Sequence, residues 1–187
     1  MQTGLINITS NTTTTLVDED SRATSFSSIA MTNTHASTAV TVELYVQDKT
    51  NTVEILSTLV NFAAPMVMGG TTTRFDTLTN VEVGDSVVFY DPVSTTVVLP
   101  QEGDPITVAS LTDSTTCELS SNVRVQDDSV AKFYQLEKSY IIKTDVPGQT
   151  TLRLDSGLSF NNKLFNLKLK TSTGGLGTST PLSVIIK

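Results

Sequence analysis

The sequence predicts an all-β protein: an antiparallel β-sandwich, jelly-roll-like, with an inserted small β-barrel or β-sandwich module. Of the 187 residues, 32 are Thr, 20 are Ser and 20 are Val, and Val and Thr suit the pleated, half-buried surface of a strand. Apolar and polar residues alternate with a period of two along most of the chain, as in strands with one buried face. The ten Gly and six Pro fall between these runs, where turns are expected.

The first strands follow from this alternation. Residues 5–8 predict a short strand, and the polar run 11–15 predicts an extended, solvated connection. In residues 40–46, Val and Leu alternate with Thr, Glu and Tyr, which is the clearest half-buried strand of the chain. Residues 26–33 predict its partner, and the polar residues 33–37 between them predict an antiparallel hairpin.

The middle of the chain contains the one candidate helix. In residues 52–64, Val53, Leu56, Leu59 and Val60 recur three to four apart. Thr, Val and Asn lower the helix propensity there, so a strand or an irregular segment is favoured over a helix. Short strands separated by turns are then predicted at 81–83, 86–90, 95–99, 106–111 and 116–119. Such frequent interruption is typical of a small barrel or sandwich.

The last third predicts further strands. Residues 133–144, 151–154, 165–170 and 182–186 alternate or are continuously apolar. Residues 146–149 contain Pro and Gly at suitable turn positions, and the glycine-rich residues 171–180 predict a flexible hairpin loop.

The charge distribution disfavours nucleic acid as a partner. The net charge is −7, with 14 acidic and 3 basic residues in 1–120 and 5 acidic and 9 basic residues in 121–187. Nucleic-acid binding requires clustered Lys and Arg that neutralise phosphates. Lys168 and Lys170 could contribute to a basic patch, but the solvent face of one strand is the favoured interpretation.

The sequence predicts neither a membrane span nor secretion. No stretch reaches the ~18 apolar residues of a spanning helix, and residues 1–5 lack the features of a signal peptide. We therefore expect folding in a reducing cytoplasm, with the single Cys117 remaining a thiol.

One Cys and one His leave little material for catalysis or metal binding, so no catalytic residue, metal site or cofactor is predicted. His35 is interpreted as a solvated turn residue and Cys117 as a buried small hydrophobe. The acidic run Asp18-Glu19-Asp20 could contribute to a Ca²⁺ site, but a solvated turn is favoured there and at Asp127-Asp128. Gly174-Gly175-Leu176-Gly177 lacks the lysine and helix of a phosphate-binding loop.

Two separated parts of the chain resemble a known family. Residues 28–34 running into 41–46 resemble the opening hairpin of small β-sandwich virion structural proteins of tailed bacteriophages, of marine or cyanobacterial type. The closing part is similar as well, over 133–136, 146–148, 151–152, 158–160, 164–169 and 181–186. About 80 residues intervene here, and their segments 83–87, 106–111 and 117–120 resemble a small β module of phage virion and fibre proteins.

The resemblance implies the organisation of the chain. Residues 1–52 together with 130–187 are expected to form the sandwich, with 53–129 inserted. Strand 40–46 or its hairpin partner should then pair with strand 133–144 or strand 164–170.

The resemblance also implies a role. The chain is expected to be a non-enzymatic virion protein, foremost a capsid decoration or cement subunit, made in the bacterial host cytoplasm. Its expected partners are other virion proteins (major capsid, neck or tail subunits) and further copies of itself as a homo-oligomer. The alternatives are a neck, tail or fibre-associated subunit, or a β-sandwich module that binds a receptor or glycan.

Overall fold

The structure is a computed structural model, and it describes residues 4–17, 25–61, 68–100, 105–172 and 176–187, with no side-chain description at 68–70. The described elements are strands, which lie in antiparallel sheets that do not close into a barrel. In chain order they are β1 Gly4–Ile8, β2 Thr14–Thr15, β3 Ser25–Phe26, β4 Ile29–Asn33, β5 Val40–Leu59, β6 Met68–Arg74, β7 Ser86–Tyr90, β8 Val97–Leu99, β9 Ile106–Leu111, β10 Thr116–Val125, β11 Val130–Val146, β12 Thr150–Leu154, β13 Leu158–Ser159, β14 Phe165–Thr171 and β15 Leu182–Ile186.

The chain divides into two compact units. The sandwich unit comprises Met1–Thr50 and Glu137–Lys187, and the inserted unit comprises Asn51–Leu136. The bounds expected from the sequence were 1–52 with 130–187, and 53–129. Strands β5 and β11 each continue through a boundary between the units, so no linker marks these boundaries in the sequence.

The sandwich unit has the strand order of a jelly roll. One sheet has the order β1-β15-β4-β12, and the other has the order β2-β14-β5-β11. Strands that follow each other in the chain therefore lie in opposite sheets, and each occupies the same position in the strand order of its own sheet. These pairs are β1/β2, β4/β5, β11/β12 and β14/β15. This is the two-sheet, eight-strand arrangement of jelly rolls. The predicted antiparallel β-sandwich is confirmed.

The core of the sandwich unit consists of the alternating apolar residues of both sheets. Fully buried members come from β4, β5, β14 and β15: Met31, Val40, Val42, Leu44, Leu167, Leu169, Leu182 and Val184. The register between β14 and β5 sets Leu169 opposite Leu44 and Leu167 opposite Val46. This confirms the predicted non-local pairing of strand 40–46 with strand 164–170. Burying each such side chain stabilises the fold by about 1.5–3 kcal/mol.

The predicted hairpin between residues 26–33 and 40–46 is wrong. Strands β4 and β5 belong to different sheets, and residue 26 lies in a separate short strand, β3, which pairs with β13. The apolar side chains of β4 and β5 contact each other across the core between the two sheets. This contact buries the apolar face of each strand, although the two strands are not hydrogen-bonded to each other. The same holds for β14 and β15, so the expected hairpin loop at 171–180 is a connection between sheets, of which 173–175 lie outside the described residues.

The inserted unit is a smaller antiparallel sheet with its own core. Within it, β11 pairs with β7, β7 with β8 and β9, β9 with β10, and β10 with β6. Among the residues that the structure describes, this core contains the aromatic rings of Phe75, Phe89 and Phe133. Residues 52–59 continue β5, so the strand interpretation of this segment is confirmed over that range.

Two details of the inserted unit differ from the sequence prediction. Residues 81–83 form no strand, because Gly84 has φ +96° and the Asp85 carboxylate accepts the Glu82 N–H at 2.7 Å, which closes a turn there. Strand β6, Met68–Arg74, was not predicted, because its glycines and threonines lack an apolar alternation.

Gly148 lies where two connections between the sheets meet. A Cβ at this position would lie 2.7 Å from the His35 carbonyl oxygen and 2.9 Å from the Ser37 nitrogen, both backbone atoms. We expect Gly148→Ala to lower the free energy of unfolding by about 2 kcal/mol, because overpacking against backbone forces it to shift. Urea denaturation measures the change. Gly157→Ala is the matched control, because its Cβ would lie 3.5 Å from the nearest atom, and an equal loss in both variants would contradict this explanation.

Candidate interaction surface

His35 lies in the connection between β4 and β5 and stabilises it. Its Nδ1 accepts hydrogen bonds from the N–H groups of Ser37 at 3.2 Å and Thr38 at 2.9 Å. Its own backbone N–H donates to Oδ1 of Asn33 at 3.0 Å. The half-buried ring thus orders the local backbone, in a connection between sheets where a hairpin was expected.

Cys117 is buried in β10, within the core of the inserted unit. Burial raises the pKa of its thiol to about 12. Because the thiolate is the reactive form, this group is unreactive at neutral pH. The prediction of a buried small hydrophobe is confirmed.

The acidic and glycine-rich runs singled out in the sequence do not form a common site in the described residues. Asp18-Glu19-Asp20, Gly174 and Gly175 lie outside the described residues. Asp127 and Asp128 form a turn in which the Asp128 N–H donates to the Val60 carbonyl at 2.9 Å. Within the described ranges, no group of three or more His, Cys, Asp and Glu could hold a metal ion.

Two aspartates of the inserted unit close exposed turns. Asp91 accepts the N–H groups of Val93 and Ser94, and Asp113 accepts those of Thr115 and Thr116. These backbone hydrogen bonds hold the pKa of both carboxyl groups below its usual value. The ionised carboxylates of Asp91 and Asp113 therefore stabilise these turns and also contribute negative charge to the surface.

The outer face of the β2-β14-β5-β11 sheet carries tyrosines and lysines. The rings of Tyr45 and Tyr140 lie 5.5 Å apart, and the Lys138 ammonium lies 5.2 Å from the Tyr45 ring. Lys143 forms an ion pair with Glu43 at 2.6 Å, which raises the pKa of the lysine. We call these five residues the tyrosine–lysine face.

Strand β14 extends the tyrosine–lysine face. Lys168 is opposite Tyr45 in the register and Lys170 is opposite Glu43. Both lysines are half-buried, whereas Leu167 and Leu169 between them are buried. This confirms the interpretation of Lys168 and Lys170 as the solvent face of one strand.

A second tyrosine pair lies in the inserted unit. The hydroxyls of Tyr90 and Tyr134 are 3.5 Å apart, and this contact raises the pKa of Tyr134 to about 12. The Lys132 ammonium lies 5.7 Å from the Tyr90 ring and forms an ion pair with Glu54 at 3.0 Å. All four tyrosines of the chain therefore occur in pairs with lysines beside them.

The two units differ in charge. The inserted unit, Asn51–Leu136, contains eleven acidic and three basic residues, a net charge of −8. The sandwich unit contains eight acidic and nine basic residues, a net charge of +1. The acidity of the protein is therefore concentrated in the inserted unit.

A small apolar pocket opens on the sandwich unit. Its volume is about 60 Å³, and its apolar lining comes from Phe26, Ile29, Ile141, Leu154 and Leu158. Ligand sites for small organic molecules usually measure about 300–1,000 Å³, so this pocket fits at most one small side chain.

The tyrosine pairs were missed in the sequence. Tyr45 lies opposite the core side in the alternation of β5, yet it is only 1% exposed, with the Tyr140 ring and the Lys138 ammonium beside its ring. Tyr140 and Tyr134 belong to a strand that is far from it in sequence. The local sequence pattern does not record this contact, because it is the pairing of β5 with β11 that brings Tyr45 and Tyr140 together.

No protein-family model, curated protein or solved structure gave a significant match to this chain. Among the residues that the structure describes, no helix has the length and apolar character needed to cross a membrane.

Proposed function

We propose that this chain is a structural subunit of a bacteriophage virion, foremost a capsid decoration or cement protein that acts through protein–protein contacts. The observation that carries the proposal is the jelly-roll order of the sandwich unit, β1-β15-β4-β12 facing β2-β14-β5-β11. Eight-stranded jelly rolls build many viral capsid domains. Because one fold serves many functions, the surface has to support the proposal as well.

The tyrosine–lysine face provides this second support. Tyrosines are enriched in protein interfaces and among the residues that contribute most to binding. Tyr140 is 52% exposed, and the side chain of Lys143 is 63% exposed. Tyr140 would supply apolar contact. Lys143 is paired with Glu43, so the charge that steers an acidic partner toward this face would come from the excess of lysines over carboxylates there, to which Lys138, Lys168 and Lys170 contribute.

The proposal specifies partners and place. The partners are major capsid subunits and further copies of this chain, and the protein is made in the host bacterial cytoplasm and retained in the virion. A position in the neck, the tail or a fibre would use the same kind of contact. The protein performs no catalysis in this role.

Rebinding to particles that lack the protein tests the proposal. We expect the purified chain to bind such particles, with an association rate that falls as salt rises, and to be found in purified virions by mass spectrometry and immunogold labelling. Tyr140→Ala should weaken rebinding at least tenfold. Leu164→Ala is the matched control, because Leu164 is also 52% exposed but lies outside the tyrosine–lysine face. Absence from virions together with no rebinding would overturn the proposal.

A receptor- or glycan-binding module is the second candidate, and the tyrosine pair of the inserted unit favours it. Jelly rolls also form lectin domains. The inserted unit, outside the jelly roll, offers the neighbouring half-exposed rings of Tyr90 and Tyr134. This candidate predicts binding of the isolated chain to host-cell surface glycans that Tyr90→Ala abolishes. Rebinding to particles should be unaffected by the same variant, which separates the two functions.

A further inference from the structure

Strand β1 is an open edge of the first sheet of the sandwich unit. It is the outermost strand of the order β1-β15-β4-β12. Its pairing with β15 is unbroken over five residues, from Gly4 opposite Ile186 to Ile8 opposite Leu182. On its other side no strand of the described chain pairs with it, so the backbone N–H and C=O groups that are not bonded to β15 face outward as a template for another strand.

This edge lacks the usual protection against pairing. Natural sheet edges are guarded by charge, proline, bulges or very short strands. The opposite edge strand, β12, carries the exposed Arg153, and the edge strand of the other sheet, β2, has only two residues. Strand β1 has the sequence Gly-Leu-Ile-Asn-Ile, with no charge and no proline, and Leu5 is 63% exposed.

We propose that β1 pairs antiparallel with β1 of a second copy of this chain, about a two-fold axis at Ile6. Ile6 then lies opposite its own counterpart, Leu5 opposite Asn7, and Gly4 opposite Ile8. The contact is isologous, because the same strand of both copies meets about a two-fold axis. An axis perpendicular to the sheet also keeps the core-facing sides of both copies on the same side. The sheet continues across the dimer as β12-β4-β15-β1-β1-β15-β4-β12.

The sequence of β1 is complementary to itself in this register. Ile6 and Ile8 face the core of the sandwich unit, and Ile8 of one copy would lie beside Gly4 of the other. Nothing lies within 4 Å of a Cβ built on Gly4, so this position leaves room for the isoleucine. Because the strand carries no charge, no like charges meet across the axis.

The dimer is weak, and this suits an assembling subunit. A pairing of five residues buries less than the roughly 800 Å² per partner of a standard interface. Binding of many copies to one particle raises the effective concentration and makes weak contacts sufficient. The inference deepens the proposed function and rests on it in this respect, but the pairing itself is measurable in the isolated protein.

Sedimentation of the full chain over a range of concentrations tests the pairing. We expect a monomer–dimer equilibrium, and Leu5→Lys should raise the Kd at least tenfold, since it places an ammonium at the edge. Adding Asn7→Asp to Leu5→Lys should restore dimerisation, because in this register each introduced carboxylate lies opposite an introduced ammonium. Leu164→Lys, at another exposed leucine, should leave the Kd unchanged.

Hydrogen exchange identifies the edge. Amides of β1 should become more protected as concentration rises, whereas those of β12 should not change. A chain that stays monomeric at high concentration, a dimer that protects β12, or a double variant that is not rescued would each overturn the pairing. If the chain rebinds to particles while any of these results is obtained, only the β1 inference fails and the virion role stands.

Discussion

Asn33→Ala is expected to lower the free energy of unfolding by about 3 kcal/mol. Asn33 ends β4 with no exposed surface. Its Nδ2 donates to the carbonyl oxygens of Thr38 and Val146, both at 2.8 Å, and its Oδ1 accepts the His35 N–H at 3.0 Å. Alanine leaves these backbone groups without this partner. An unsatisfied buried group costs about 1–3 kcal/mol, which applies in full to the Val146 carbonyl and in part to the two part-buried groups. The three effects overlap, so the total is smaller than their sum.

Urea denaturation of the full chain measures this loss as a lower midpoint at an unchanged m-value. Asn7→Ala is the matched control, because the exposed Asn7 accepts one surface hydrogen bond, from Ser183, and a change within about 0.5 kcal/mol is expected there. Asn33→Asp keeps the shape and the acceptor but removes both donors, so it should destabilise at least as much as alanine. A loss at Asn33 no larger than that at Asn7 would show that this hydrogen-bond set does not hold the connection.

Asn33 also illustrates what the sequence could not predict. In the sequence it begins a polar segment, which is typical of a hairpin turn. In the structure the same polarity satisfies backbone groups where the chain passes from one sheet to the other. Both arrangements need an asparagine between two alternating strands, so local pattern does not distinguish them.

The existence of most strands could be predicted, because a strand with one buried face alternates apolar and polar residues in its sequence. The predicted bounds 106–111 and 182–186 match those of β9 and β15. Which strands pair with each other was harder to predict. The alternation indicates which residues face the core, but it does not indicate which strand is the hydrogen-bonded neighbour. Strand β6 escaped prediction for the related reason that Met68–Arg74 lacks an apolar period.

The candidate interaction surfaces could not be predicted either, because they also depend on which strands are neighbours in the sheet. Tyr45 and Tyr140 are distant in sequence, and their contact exists only because β5 and β11 are neighbours in one sheet. Similarly, the uncharged sequence of β1 is unremarkable for a central strand. It becomes a candidate for pairing because the topology places β1 at an edge.

Phe133→Ala is expected to destabilise the inserted unit by about 4 kcal/mol. Phe133 has no exposed surface, and its ring meets that of Phe75 edge-on at a centroid distance of 5.2 Å. Phe75 in turn stacks on Phe89 at 6.3 Å. Removing a buried phenyl ring from such a cluster costs about 3–5 kcal/mol, because the cavity collapses only in part. The loss should be local, since these three rings belong to the inserted unit, which has its own core.

Hydrogen exchange measured strand by strand tests whether the loss of stability is confined to the inserted unit. In Phe133→Ala, the amides of β7, β9 and β10 should exchange faster by a factor that corresponds to the lost stability, while those of β15 keep their protection. Phe160→Ala is the control, because Phe160 is only partly buried and packs at the core of the sandwich unit; its smaller effect should appear in β15 and leave β9 unchanged. If Phe133→Ala accelerated exchange equally in β9 and β15, the two units would unfold as one, and the inserted unit would have no separate stability.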